Sequence, residues 1–367
     1  YEFGNSILQK MAIQITTIFG DDTVISRLHS DVFAVLTSNT TIAANEVALR
    51  CSRPLMVKDQ SIRMGMTVGQ SSVNCNQEID IEKSLKQAEL ALNVAKEKKR
   101  GAGETFNESY EIESRNSMAL LSDLRLGLDN KELFLHLQPK VNAFSKEVIG
   151  FEALIRWNHP KKGLIPPGVF IPAVEKSGMN YEFDLYVAKQ LCEILIANPH
   201  VNVPISFNVS AGSFNHESFV YELTQVFEQS KVSFDRVEVE VTENAIINSE
   251  NAISRLHELK ESGFHICLDD FGAGFSSLSY LLRLPVTTIK IDRAFVADIA
   301  TNSQSLTLTE GIVSIIRNLN KHIVVEGVED EQQLEIVKKL GVDNIQGFYF
   351  YKPLPLEDAL ALLKIEP

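Results

Sequence analysis

Cysteine, positive charge and long apolar runs are what this sequence has least of. Its four cysteines, Cys51, Cys75, Cys192 and Cys267, lie far apart and form no C-x-x-C pair. That argues against a disulfide framework or a zinc site and makes a reducing cytoplasm the expected compartment of this segment. No apolar run reaches the length of a membrane span and no signal-peptide pattern opens the chain, so no membrane contact is expected from the segment itself. The first residue is Tyr1 rather than Met. An upstream region is therefore expected in the full-length protein, with a membrane anchor among its options. Against 48 Asp and Glu stand only 35 Lys and Arg, for a formal charge of −13. This argues against a long nucleic-acid partner, whose binding rests on clustered basic residues. It leaves room for a small phosphate ligand, because bound cations reverse the field at one site.

What is present is length and pattern. A chain of 367 residues suits two domains. In residues 1–103 short β-rich runs alternate with amphipathic helices. Ile7, Leu8, Met11, Ile15 and Ile18 keep helical spacing, as do Leu85, Ala88, Leu92 and Ala95. The second helix ends in basic residues 96–100 followed by Gly101, a stop signal. Residues 32–36 and 62–68 read as strands. The polar stretch 104–117 reads as a linker, and 118–367 as the second domain.

From residue 132 onward, short apolar runs suited to buried strands occur at 132–137, 148–154, 204–207, 237–241, 264–268, 286–291, 322–325 and 344–350. Amphipathic helical stretches separate most of them. The expected fold is α/β: a (β/α)₈ TIM-like barrel preceded by a smaller α/β domain. An open doubly wound sheet is the alternative, weakened by the lack of a G-x-G-x-x-G fingerprint.

Polar residues punctuate these runs: Gln138, Glu152, Asn208, Glu240, Asp269, Asp270, Lys290, Glu326 and Gln346. In a parallel barrel they converge at one mouth. Any one of them alone is an ordinary start of a loop. As a set, clustered carboxylates in a partly dry cavity repel one another unless cations are present. Asp, Glu and Asn are hard oxygen donors suited to Mg²⁺ or Mn²⁺. The adjacent Asp269 and Asp270 could bridge two such ions, a pair suited to in-line attack at phosphorus.

Several ordered motifs then carry a resemblance. They are Glu152-Ala153-Leu154-Ile155-Arg156-Trp157, Asn208-Val209-Ser210, Glu240-Val241-Thr242-Glu243, Asp269-Asp270-Phe271-Gly272-Ala273-Gly274-Phe275, Lys290-Ile291-Asp292-Arg293, Glu326-Gly327-Val328-Glu329 and Gln346-Gly347. Residues 119–364 resemble the EAL-domain cyclic-di-GMP phosphodiesterases. The resemblance implies hydrolysis of cyclic di-GMP to linear pGpG with two Mg²⁺ or Mn²⁺ ions per site. Glu152, Asn208, Glu240 and Asp269 would hold one ion, and Asp269, Asp270 and Glu326 the other. Lys290 would position the attacking water, and Glu326 is a second catalytic candidate. Gln138, Leu154, Arg156, Asp184 and Gln346 would contact substrate. Glu243 would anchor the loop from Asp270 to Ser277, with Asp292 a further regulatory residue, and a homodimer through this domain is implied. Ala273, Phe275 and Leu137 depart from the usual Thr, Tyr and Tyr. A non-catalytic cyclic-di-GMP receptor is the competing function.

Residues 1–103 resemble a partial GGDEF cyclase domain that has lost its chemistry. Arg27-Leu28-His29-Ser30-Asp31-Val32-Phe33 stands where the signature hairpin belongs. His29 and Ser30 replace both glycines and Val32 replaces an acidic residue. The R-x-x-D motif is absent from residues 20–23, and the first strand and helix of that family are expected to be missing. No cyclase activity is expected, leaving a regulator or a spacer.

Overall fold

The computed structural model describes residues 2–20, 23–39, 41–58, 60–74, 80–247, 251–272 and 281–363. The chain divides into two units, Tyr1–Ala119 and Leu120–Pro367.

The first unit opens with helix α1 (Glu2–Phe19), the antiparallel hairpin β1 (Val24–His29) and β2 (Val32–Leu36), and helix α2 (Ala44–Cys51). There follow the antiparallel pair β3 (Leu55–Val57) and β4 (Gln60–Ile62), then β5 (Val68–Gln70), α3 (Ile81–Lys98) and β6 (Gly103–Thr105), with β6 parallel to β5. Ile15, Ile42, Val47 and Cys51 form a small core against which Phe33 and Val35 pack. Asp80 starts α3 by accepting from the Lys83 amide at 2.9 Å. A Cβ on Gly69 would stand 2.1 Å from the Ala88 carbonyl oxygen, so only glycine lets β5 approach α3 this closely.

Two expectations change here. Residues 62–68 are not one strand: β4 ends at Ile62, β5 begins at Val68, and Gly65 lies in the break. Residues 104–117 are not an irregular linker either. They take in the end of β6 and much of helix α4 (Glu108–Asp129), which starts where the Asn107 side chain accepts from the Ser109 amide at 2.9 Å.

In the second unit the strands are β7 (Leu133–Asn142), β8 (Val148–His159), β9 (Gly163–Ile165), β10 (Ile205–Asn208), β11 (Val237–Thr242), β12 (His265–Phe271), β13 (Thr288–Ile291), β14 (His322–Glu326) and β15 (Asn344–Gln346). Strands β8 and β10 through β15 run parallel in a ring, and a β8–β10 pairing helps close it. The closure between β15 and β8 is made by β7, which is antiparallel to both. The result is an eight-stranded barrel with one reversed strand, while β9 extends β8 as a hairpin. The reversal follows from connection length. Only residues 143–147 join β7 to β8, too few for the crossover that a parallel pair requires. Strand 344–350 is shorter than expected, ending at Gln346.

Strand β11 shows how the barrel is built. Val237, Val239 and Val241 alternate with Glu238 and Glu240, and all five are buried. Alternation puts the valines on one face and the glutamates on the other. The valines belong to the apolar core, which includes Phe207, Phe227 and Phe264. The glutamates meet polar residues of the facing strands.

Candidate active site

That polar face gathers most of the residues singled out in the sequence. Lys290 on β13 is 1 % exposed, and four carboxylates surround its Nζ. The distances are 3.1 Å to Glu152 Oε2, 2.8 Å to Glu240 Oε2, 3.3 Å to Asp269 Oδ1 and 2.5 Å to Glu326 Oε1. Asn208 Nδ2 donates to Glu152 Oε1 at 2.8 Å. Gln346 Nε2 donates to Glu152 Oε2 at 2.6 Å and to Gln138 Oε1 at 3.2 Å, and Gln138 Nε2 donates to the Tyr351 carbonyl at 3.2 Å. Seven strands other than β13 therefore supply side chains to one cluster. Gln138 and Glu152 sit within their strands, opposite one another in register, rather than at strand ends.

Asp269 and Asp270 owe their placement to a break in register between β12 and β13, after Leu268. Asp270 has φ 53°, a left-handed value costly for a residue with a side chain. Such irregularities re-aim side chains beside functional sites. Glu152, Glu240 and Asp269 place oxygens within 4.8 Å of one another, and so do Asp269, Asp270 and Glu326. Asp269 belongs to both groups.

The electrostatics show a site short of positive charge. Burial pushes Asp269 up to about 8, with Glu240, Glu326 and Glu152 adding to it and Lys290 opposing. Burial also raises Glu326 and Asp270, the latter helped by the neighbouring Asp292 carboxylate. For Glu240 burial acts in the same sense, but the Lys140 and Lys290 ammonium groups outweigh it and hold the carboxyl well below its usual range. Desolvation opposes the charge on Lys290, and the carboxylates around it keep it protonated. The donor set is all oxygen, it carries excess negative charge, and one member holds a proton near neutrality. Those properties fit hard divalent cations.

A cavity of about 230 Å³ opens over the cluster, walled partly by Arg293, Glu329 and Phe348, none of which the motif reading assigned a role. Leu154 and Arg156 are half-buried on β8 and share the strand face of Glu152 by alternation. Arg156 donates to the Ile155 carbonyl at 2.8 Å, and among the described residues no carboxylate pairs with it. One further residue was missed. Lys140, two positions beyond Gln138 on β7, is buried against Glu240 at 2.7 Å and Glu238 at 3.1 Å. The signal was available, since residues i and i+2 of a strand share a face.

Asp184 has partners of its own. Expected as a substrate contact, it is buried on the helix Asn180–Ala197, and Oδ2 accepts from the Ser210 amide at 2.8 Å, Ser210 Oγ at 2.8 Å and Ser213 Oγ at 2.7 Å. Burial pushes its pKa up to about 6 against the pull of those hydrogen bonds. Its position braces the turn after Asn208. Glu243 accepts from the Gly272 amide at 3.0 Å. Gly272 has φ 94°, and a Cβ there would strike the Phe295 ring at 2.6 Å. Asp292 caps a short 3₁₀ turn through the Ala294 amide at 2.8 Å. Residues 273–277 of the expected loop, with Ala273 and Phe275, lie outside the described residues, as does Cys75. Cys51, Cys192 and Cys267 are free and buried. No described helix is long and apolar enough to cross a membrane.

Residues 121–353 match the EAL domain, and residues 1–102 match the diguanylate cyclase GGDEF domain. The chain is 32 % identical over 370 residues to the bifunctional diguanylate cyclase/cyclic di-GMP phosphodiesterase MucR of Pseudomonas aeruginosa, covering 98 % of this chain and 54 % of that protein. It is 32 % identical over 361 residues to the cyclic di-GMP phosphodiesterase PdeR of Escherichia coli, covering 96 % and 54 %. The chain thus spans about half the length of these curated relatives. Among solved structures, the PaMucR phosphodiesterase in complex with c-di-GMP is similar at 38 % identity and TM-score 0.62, over 66 % of this chain and 99 % of that one. The EAL enzyme Bd1971, bound to cAMP and cyclic di-GMP, is similar at 30 % identity and TM-score 0.65, over 68 % and 70 %.

Proposed function

The chain belongs to the EAL-domain family, and from that premise we propose that it hydrolyses cyclic di-GMP to linear pGpG with two divalent cations of the Mg²⁺ or Mn²⁺ class. The observation that carries the reading is the double use of Asp269, shared by the Glu152–Glu240–Asp269 group and the Asp269–Asp270–Glu326 group. Relatives named as cyclic di-GMP phosphodiesterases and a relative solved with c-di-GMP support the substrate.

Glu152, Asn208, Glu240 and Asp269 would hold one cation, and Asp269, Asp270 and Glu326 the other. The cations would supply Lewis acidity toward the phosphodiester. Lys290 holds the attacking water by hydrogen bonding and favours its deprotonation electrostatically. Glu326, 2.5 Å from Lys290, accepts the water's proton. Water adds its oxygen to phosphorus, the bond from phosphorus to the 3′ oxygen breaks, and a proton returns to that oxygen. A 5′-phosphate and a 3′-hydroxyl result. Arg156, with no carboxylate partner among the described residues, would bind a phosphate oxygen. Leu154, Gln138 and Gln346 wall the substrate beside it.

Assembly as a homodimer through the EAL domain belongs to the same proposal, motivated by the Glu243–Gly272 anchor. The GGDEF-like domain acts as a regulator or spacer without cyclase chemistry. Its hairpin persists, with Ser30 at φ 41° and Arg27 Nε donating to the Ser30 carbonyl at 2.8 Å. Where its family has glycines, side chains obstruct a nucleotide's approach. Nothing favours the receptor reading, because every position of the ligand set is occupied by an oxygen donor. The decisive experiment incubates the purified protein with cyclic di-GMP and Mg²⁺ and separates the products over time. Accumulating pGpG is expected, and an unchanged substrate peak at saturating metal would leave only a receptor.

A further inference from the structure

Beneath the cluster lies a second buried ammonium that no part of the reaction uses. Lys140 is 5 % exposed. Its Nζ lies 2.7 Å from Glu240 Oε1 and 3.1 Å from Glu238 Oε2. Glu238 Oε1 in turn accepts from Thr288 Oγ1 at 2.6 Å. Glu240 therefore stands between two lysines, giving Oε1 to Lys140 and Oε2 to Lys290 at 2.8 Å. The lysines differ in company. Lys290 also touches Glu152, Asp269 and Glu326, all candidate metal ligands. Among the described residues Lys140 touches no candidate ligand except Glu240.

We propose that Lys140 is a positioning residue for the metal set: by engaging Oε1 of Glu240 from below, it fixes the carboxylate so that Oε2 is offered toward Glu152 and Asp269. The inference rests on the reading that these carboxylates hold a divalent cation. Without Lys140, Glu238 and Glu240 would be buried like charges two positions apart on one strand face, and Glu240 would be free to turn. Partners behind the ligands commonly set ligand orientation and affinity in this way. Lys140 is the support, Glu240 the ligand, and Glu238 with Thr288 the brace that keeps Lys140 in place.

The test must separate orientation from charge balance, since an unpaired buried charge destabilises by itself. The double variant Lys140→Met/Glu238→Gln removes one charge of each sign and so preserves the net charge of the lumen. Lys140→Gln keeps a hydrogen-bond donor without the charge. Mn²⁺ binding to the full chain is measured by calorimetry, alongside thermal unfolding and a kcat-against-KM split at saturating Mn²⁺. The expected result is a folded double variant whose Mn²⁺ affinity is weaker by about 10- to 100-fold, with KM for cyclic di-GMP moving less. Mn²⁺ affinity within about twofold of wild type in a folded variant would overturn the proposal, twofold being well below the usual effect of such partners. So would the failure of both variants to fold, which would assign Lys140 to barrel stability alone. Absence of Mn²⁺ binding in the wild type is a different failure, that of the metal reading itself.

Discussion

Asn208 Nδ2 donates to Glu152 Oε1 across 2.8 Å, and that bond leaves the Asn208 carbonyl oxygen as the atom available to a cation. The two candidate ligands thus orient each other. Asn208→Ala removes a donor and an acceptor together. It is expected to lower turnover at limiting Mg²⁺ by about tenfold or more, with part of the loss recovered at high Mg²⁺. Rates across a Mg²⁺ titration check this, and an unchanged Mg²⁺ dependence would remove Asn208 from the ligand set.

Metal identity follows from the oxygen donors. Mg²⁺ or Mn²⁺ should support pGpG formation and EDTA should abolish it. Ca²⁺, with its larger and less regular shell, should occupy the site without supporting turnover. Product chromatography reads all three conditions, and full activity in chelator is the result that sinks the two-cation proposal.

Lys290→Ala should lose turnover while KM changes less, because its proposed role lies with the water rather than with cyclic di-GMP. It also strips the only ion-pair partner that Glu152, Asp269 and Glu326 have among the described residues. In EDTA the variant should therefore lose about 3–5 kcal/mol of stability, the usual result of leaving a buried charge unpaired. Added Mn²⁺ should raise its thermal midpoint more than that of the wild type. Near-normal turnover would end the assignment.

The raised Asp269 gives a pH dependence of definite sign. Its carboxyl moves from the ordinary aspartate value of 3.8 up to about 8, so the folded chain binds a proton that the unfolded chain has released. Metal-free stability from this group is fully present below about pH 4 and is lost as pH rises toward about 8. Cation binding must expel that proton, so Mn²⁺ affinity should climb by up to about tenfold per pH unit and level off near 8. Glu240, shifted downward, acts oppositely and only below its ordinary range: its stabilisation is lost as pH falls. Calorimetry at several pH values tests the slope, and a flat profile between pH 6 and about 8 would contradict it.

For the first domain, no cyclic di-GMP should form from GTP with any metal. Phosphodiesterase rates and solution masses of residues 1–367 and 108–367, with and without GTP, separate regulator from spacer. The shorter chain begins at Glu108, where α4 begins, so the helix stays whole. Identical rates and masses identify a spacer, and any synthesised cyclic di-GMP overturns the reading of the hairpin.

The barrel and most of the site were legible in the sequence because strands buried on both faces leave compact apolar runs, and a carboxylate inside such a run stands out. Glu240 and Lys290 are visible for that reason. Strand direction was not legible from apolar pattern, since a period of two reads the same either way. It lay instead in the short connection 143–147, which forbids a parallel crossover. Lys140 escaped notice because a lysine two residues past a motif glutamine reads as a surface residue until the opposing glutamates are in place. Asp184, named as a substrate contact by resemblance, shows the converse: its bonds from Ser210 and Ser213 become visible only in the fold.

The reversed strand also decides where the chain enters the barrel. Leu133 pairs with Trp157, beyond Glu152 on β8, and Trp157 Nε1 donates to Glu132 Oε2 at 3.0 Å. In an all-parallel barrel the incoming polypeptide arrives at the floor, far from the mouth. Here the end of α4 hands the chain in at the rim, so the doorway used by the incoming backbone is the one that faces the carboxylates. The barrel's first strand thus begins at the threshold of the chemistry instead of beneath it.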